Sequence, residues 1–243
     1  MTGSRPMALP NHSAKQGLKA PEGAYERFLY SVSHDLQEPL RMISSFLKLL
    51  ETKTQGQLDP DAQQYLDYGI ENAERMKRMI YALVELSRVA RNTETPQVVS
   101  LNEVVDDLKG MFSGETLKAG SDIVRGNLPP VLMPPSQVVN LFKFLFQNSF
   151  DNPGDEPMQI TVEAHQVEDR ALIEVRDNGR GINPVYLDKI FEMFKRTDAR
   201  SEKIGAGLTI AREIVQKHGG EINLESAPGE GTTVYLSLPL GVL

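Results

Sequence analysis

Residues 25–50, YERFLYSVSHDLQEPLRMISSFLKLL, decide the architecture of this chain. Phe28, Val32, Leu36, Leu40, Ile43, Leu47 and Leu50 recur at steps of four or three. That spacing draws one apolar stripe down an α-helix, with a coiled-coil-like seam. Gly56 and the Asp59-Pro60 pair punctuate the pattern, and a second run follows through Leu66, Ile70 (or Gly69), Ala73, Met76, Ile80, Leu83 and Ser87. Two long amphipathic helices joined by a short turn make an αα-hairpin. Its apolar faces are too wide for a single partner helix to cover, so a homodimer closing a four-helix bundle is expected.

Upstream, residues 1–23 carry three prolines, three glycines and no periodicity, and read as a disordered leader. Pro21 and Gly23 would interrupt any helical rod entering from that side. Downstream, Thr95-Pro96 ends the hairpin, so residues 24–94 form one unit and 95–243 another. The second unit reads as a helix at 101–111, a proline-rich loop at 129–135 and an apolar helix at 137–150. Strands follow at 159–164 and 171–176, then helices at 184–194 and 208–218, each after a glycine turn. A closing hairpin comes from 221–226 and 232–238. Strands grouped with helices outside strict β-α-β alternation predict an α+β sandwich with helices on one sheet face.

Composition narrows the function. The 243 residues are 40% hydrophobic and 24% charged, enough to bury a core. Lys plus Arg is 26 against 33 Asp plus Glu, a net charge of −7, which argues against a nucleic-acid binder. The absence of cysteine excludes disulfides, thiolate zinc sites and cysteine nucleophiles. No apolar run approaches the ~20 residues that span a bilayer, and no signal-peptide core stands at the N-terminus. A cytoplasmic setting without membrane insertion is expected.

Four constellations carry chemistry. His34 lies two residues from Val32, about 200° around the helix, and so faces away from the seam. Imidazole is a good nucleophile near neutrality, and Asp35 is placed to hold one ring N–H and free the other nitrogen. Pro39 frees the carbonyl of Asp35 and predicts a kink one turn later. Asp177-Asn178-Gly179-Arg180-Gly181-Ile182 follows a strand; its glycines let backbone approach a ligand, and Asp177 can accept from a buried amine such as that of adenine. Gly205-Ala206-Gly207-Leu208 opens a helix and makes an anion site from free N–H groups. The amide oxygen of Asn148 can ligate a hard cation such as Mg²⁺. Ile190, Phe191 and Phe194 form an apolar anchor between the glycine turns.

In this order, SHDLQEPLR (33–41), LFQNSFDN (145–152), DNGRGI (177–182), IFEMFKR (190–196), GAGLTIA (205–211) and HGGEINLESAPGEGTTVYLSLP (218–239) resemble a sensor histidine kinase of the HisKA type. The likeness is to the bacterial-phytochrome-like subgroup and covers nearly the whole folded chain. It implies a dimerisation and phosphotransfer hairpin followed by a Bergerat-type ATP-binding α/β sandwich. The implied chemistry runs from ATP to Nε2 of His34, and then to an aspartate on a response-regulator receiver domain. Asp35 would orient His34, Asn148 would ligate Mg²⁺ and Asp177 would read adenine. Gly179 and Gly181 would form the turn under the nucleotide, Gly205, Gly207 and Leu208 would sit beside the phosphates, and Thr232 would contact the adenine edge.

The chain departs from that family pattern at named positions. Phe144 stands where an asparagine is usual, Asp151 where a phosphate-reaching lysine is usual, Asn152 where an aromatic often lies, and Lys203 in place of a glycine. The lid at 197–203 is short. Lysine to aspartate is a change of two charges, each worth about 2 kcal/mol against a phosphate charge at roughly 8 Å and an effective dielectric of about 20. Lys203 compensates only if it reaches the phosphates. Phe144 cannot take a proton from water, which disfavours simple hydrolysis, and Glu38 stands where a phosphatase reaction usually has Thr or Asn. Two readings therefore stand: an autophosphorylating kinase whose sensor is absent from this chain or supplied by a separate protein, or a phosphotransfer protein or pseudokinase that relays phosphate while binding ATP weakly or not at all. In either, a regulator would dock below His34, around Arg41, Ser45, Lys48, Asn72 and Arg75.

Overall fold

The computed structural model describes residues 24–112, 120–193 and 205–241. The leader expected at 1–23, Phe194 and the lid at 197–203 lie outside them. The hairpin is present as α1 (Ala24–Thr54) and α2 (Pro60–Arg91). Its turn is built from local chemistry: Gly56 takes φ 73°, Asp59 caps α2 by accepting from Ala62 N at 2.8 Å, and Pro60 fills the first turn, where no N–H is needed. α1 continues through Pro39 as one helix.

The second unit contains β1 (Gln97–Val99), α3 (Leu101–Phe112), β2 (Asp122–Arg125), β3 (Val131–Met133), α4 (Pro135–Asp151), β4 (Gln159–Val167) and β5 (Arg170–Asp177). It closes with α5 (Gly207–Lys217), β6 (Glu221–Ala227) and β7 (Gly231–Pro239). The main sheet runs β2-β4-β5-β7-β6, with β2 parallel to β4 and every other pair antiparallel; β1 and β3 form a separate two-stranded ribbon. Alternation sends Ala171, Ile173 and Val175 inward from β5 and Val234, Leu236 and Leu238 inward from β7. They meet Leu141, Phe142, Leu145 and Phe146 of α4 and Ile210, Ile214 and Val215 of α5 in one core. This is the helices-on-one-face sandwich that the pattern predicted.

Two details correct the sequence expectation. The helix expected at 184–194 is a 3-10 turn, Pro184–Lys189, followed by turns. Asn183 caps it by accepting from Val185 N at 3.1 Å, but it buries no side chain and Val185 is 77% exposed. A helix without an apolar face to pack gains little from elongation. The proline-rich loop at 129–135 also contains β3, and β1 and β2 were not expected; each is three or four residues long and held by partners far away in sequence.

The two units are tied at the end of α2. Lys217 Nζ, from the last turn of α5, donates to Val89 O at 2.7 Å, Ala90 O at 2.9 Å and Asn92 O at 2.9 Å. These carbonyls cluster at the C-terminus of α2, where intrahelical donors run out, and a cation complements the dipole there. Gln137 Nε2 also donates to Val89 O at 3.3 Å, while its Oε1 accepts from His218 Nε2. Burial pushes the Lys217 ammonium below its ordinary range; burial, and then the Lys217 charge, do the same to the His218 imidazole.

Candidate active site

Between the hairpin and the sandwich lies a cleft of about 770 Å³. Asn148, Asp151 and Asn152 from the end of α4 line it, with Asp177, Gly181 and Thr232 at its floor and Gly205, Gly207 and Leu208 at the start of α5. Of the expected nucleotide set, Gly179 does not line the cleft, and Lys203 lies outside the described residues.

Asp177 is the anchor of the floor. Only 8% exposed at the end of β5, its Oδ1 accepts from Gly179 N at 2.9 Å and Thr232 N at 3.0 Å, and its Oδ2 accepts from Ser149 Oγ at 2.7 Å. A carboxylate has about four lone-pair sites, so one on Oδ2 is left for a ligand amine. Ser149, 4% exposed and one residue after Asn148, was missed by the sequence reading; nothing local marks it, since its partner is 28 residues on. Thr232 adds a second polar edge. Ser226 Oγ donates to Gly231 O at 2.7 Å, so the 3.0 Å contact between the Thr232 and Ser226 hydroxyls has Thr232 donating and keeps its acceptor capacity.

Backbone geometry explains the glycines of the floor. Gly181 takes φ 69°, and a Cβ there would stand 1.9 Å from Ala227 O. No other residue type fits. Gly205 also takes a positive φ, 66°, as the chain turns into α5. The N-cap of α5 is Ala206, which supplies no capping side chain, and the residues that open this helix line the cleft.

The departures have visible consequences. Asp151 Oδ1 accepts from Gln147 Nε2 at 2.9 Å, and Asn152 is held by Arg180 Nη2 at 2.8 Å and by its own bond to Asn148 O at 2.7 Å. Both face the cleft as acceptors or amides and bring no cation. Phe144 lines the cleft and packs on the core. Ile190 and Phe191 are half-buried against the same core; Phe191 O accepts from Thr209 Oγ1 at 2.8 Å, and Arg212 sits 5.3 Å over its ring. No group of three or more His, Cys, Asp or Glu fit to hold a metal occurs among the described residues. Asn148, half-buried in the wall, offers one amide oxygen, which suits a cation that takes its remaining ligands from phosphates and water.

His34 stands on α1 with its side chain 71% exposed, and its Nδ1 lies 3.4 Å from Asp35 Oδ1. Neither residue lines the cleft, but Gln37 and Arg41 do. At 100° per residue these fall within about 60° of His34 on one helix face, one and two turns further along. The exposed imidazole therefore stands one turn beyond the cleft edge. Below it, Ser45 and Arg41 share a hydroxyl-to-carbonyl bond of 2.8 Å, Asn72 bonds Tyr68 O, and Lys48 Nζ pairs with Glu74 Oε1 at 2.7 Å. Arg75 is exposed on the facing helix.

The seam predicted on α1 is largely uncovered. Leu40 is 4% exposed and packs on Ala73 and Ile80, with Leu47 beside them. Leu36, Ile43 and Leu50 stay between 44% and 52% exposed. No helix of the described residues is long and apolar enough to cross a membrane.

Comparison with known proteins agrees with this geometry. Residues 24–92 match the family described as His Kinase A (phospho-acceptor) domain, and residues 134–242 match Histidine kinase-, DNA gyrase B-, and HSP90-like ATPase. Cyanobacterial phytochrome A of Nostoc sp. is 34% identical over 226 residues, covering 92% of this chain and 30% of its own length. The Methanogenesis regulatory histidine kinase FilI of Methanothrix harundinacea is 34% identical over 225 residues, covering 91% of this chain and 25% of its own length. Full-length ShkA in complex with AMPPNP shares the fold, with a TM-score of 0.66 at 19% identity over 90% of this chain and 46% of that one. The chain spans less than a third of the length of two phytochrome relatives and of FilI.

Proposed function

Since this chain belongs to the HisKA-type histidine kinases, a phospho-acceptor domain joined to a histidine-kinase-like ATPase domain, we propose that it moves the γ-phosphoryl group of ATP to His34 and then to an aspartate of a response-regulator receiver domain. One observation carries the reading: the exposed imidazole shares a helix face with Gln37 and Arg41, which line the same cleft as Asp177 and Asn148.

The steps follow from the groups present. The free acceptor site on Asp177 takes the adenine amine, and Thr232 borders the base. The phosphates lie toward Gly205 and Gly207, where N–H groups of α5 meet them. Asn148 Oδ1 would hold Mg²⁺, which would supply neutralisation of the phosphate charge. Asp35 keeps a proton on Nδ1 of His34, leaving the Nε2 lone pair to attack phosphorus as the bond to the β-phosphate oxygen breaks and ADP departs. Phe144 holds no proton acceptor, so the cleft does not activate water from that position.

The apolar seam of α1 closes against a second copy as a four-helix bundle, and the receiver domain docks on the exposed face below His34. The reaction belongs in the cytoplasm, where ATP and receiver domains meet. Incubation with γ-labelled ATP and Mg²⁺, beside His34→Ala, tests the reading. Acid-labile label on the wild type alone is expected. Label that arrives only from a phosphorylated regulator assigns the chain to relay instead.

A further inference from the structure

The cations of the cleft stand on one wall. Among the described residues lining it, every lysine or arginine belongs to the hairpin: Arg41 on α1, and Lys77 and Arg78 on α2. The sandwich wall contributes amides, glycines and apolar groups, together with the carboxylates of Asp151 and Asp177. Resting on the kinase reading above, we propose that the triphosphate of ATP is neutralised by the hairpin, through Lys77 and Arg41 with Arg78 beside them, and that nucleotide affinity therefore depends on the two domains staying docked.

Helix geometry brings these groups together. Glu74, Lys77, Arg78 and Tyr81 recur at three- and four-residue steps, so one face of α2 is turned to the cleft; Gln37 and Arg41 do the same on α1. Glu74 is the acidic member of that face, and its charge is already engaged. Lys48 Nζ holds its Oε1 at 2.7 Å, whereas Lys77 Nζ lies 3.9 Å from Oε2. The Lys77 side chain is 66% exposed and its ion pair with Glu74 is the longer of the two, so its ammonium can turn toward an anion. On the opposite wall the Asp151 carboxylate repels the same anion, so a highly charged phosphate chain is drawn toward α1 and α2.

The test uses the full chain and three probes: Mg²⁺-AMPPNP, Mg²⁺-ADP and adenosine, each titrated calorimetrically. Lys77→Gln combined with Arg41→Gln should weaken Mg²⁺-AMPPNP about tenfold or more, weaken Mg²⁺-ADP less, and leave adenosine within about twofold. Asp151→Lys, which places a cation on the sandwich wall, should strengthen Mg²⁺-AMPPNP and shrink the effect of the hairpin pair. Unchanged Mg²⁺-AMPPNP affinity in the pair overturns the proposal. So does equal loss for all three probes, and so does a loss confined to Lys203→Gln. Failure of the wild type to bind any of the three overturns the kinase reading itself along with it.

Discussion

In the sandwich, Phe142, Phe146, Ile160 and Leu238 are completely buried, whereas Ile43, Phe46 and Leu49 of α1 stand 52%, 62% and 48% exposed. Both regions are rich in periodic apolar residues, yet among the described residues only one has them covered. A sheet backed by three helices closes its own core, while two helices offer more apolar face than they can share. On the dimer proposed above, the stability of the sandwich is intrinsic and that of the hairpin depends on association. The cleft proposed to bind nucleotide lies where these two units meet, so that proposed site answers to both.

Cutting the closed core should give the largest effect. Phe142→Ala removes a fully buried ring from α4 and should cost about 3–5 kcal/mol in denaturant unfolding, with a midpoint independent of protein concentration. A midpoint that moved with concentration would show that the sandwich too relies on a partner. In the open region, Ile43→Glu with Phe46→Glu should convert dimer to monomer in sedimentation, with an effect of about 2 kcal/mol per protomer, and leave the unfolding of the sandwich unmoved.

Smaller effects sharpen the contrast. Ser149→Ala removes the 2.7 Å bond to Asp177 and should cost about 1–2 kcal/mol of sandwich stability while weakening adenosine binding, both measurable on one sample. The smallest effect belongs to the junction. His218 has a folded pKa below its ordinary 6.5, so its neutral form is favoured in the fold. The stability it contributes is present above 6.5 and lost as pH falls through the lowered folded value. His218→Gln should flatten that part of the pH–stability curve, and an unchanged slope would relieve His218 of the role.

Much of this was legible because it is local. The stripe on α1, the Asp59-Pro60 start of α2, the alternation of β5 and β7 and the glycine turns around Asp177 and Gly205 are all set by neighbours a few residues apart. The stretch 184–194, expected as a helix, forms only a 3-10 turn at Pro184–Lys189, a segment that buries no side chain. Ser149 escaped because a serine on a helix carries no sign that its hydroxyl meets a carboxylate in another element.

Sequence alone determined the hairpin, the sandwich and the exposed place on α1 of the imidazole proposed to accept phosphate, since periodicity and turn chemistry act over a few residues. Only the tertiary structure decided how the two units meet. Lys217 reaches α2 carbonyls between 125 and 128 residues away, and Arg41 and Lys77 come to face Asp151 across one cleft. Such contacts depend on the folded path of the whole chain, and no local pattern encodes which distant groups that path will bring together.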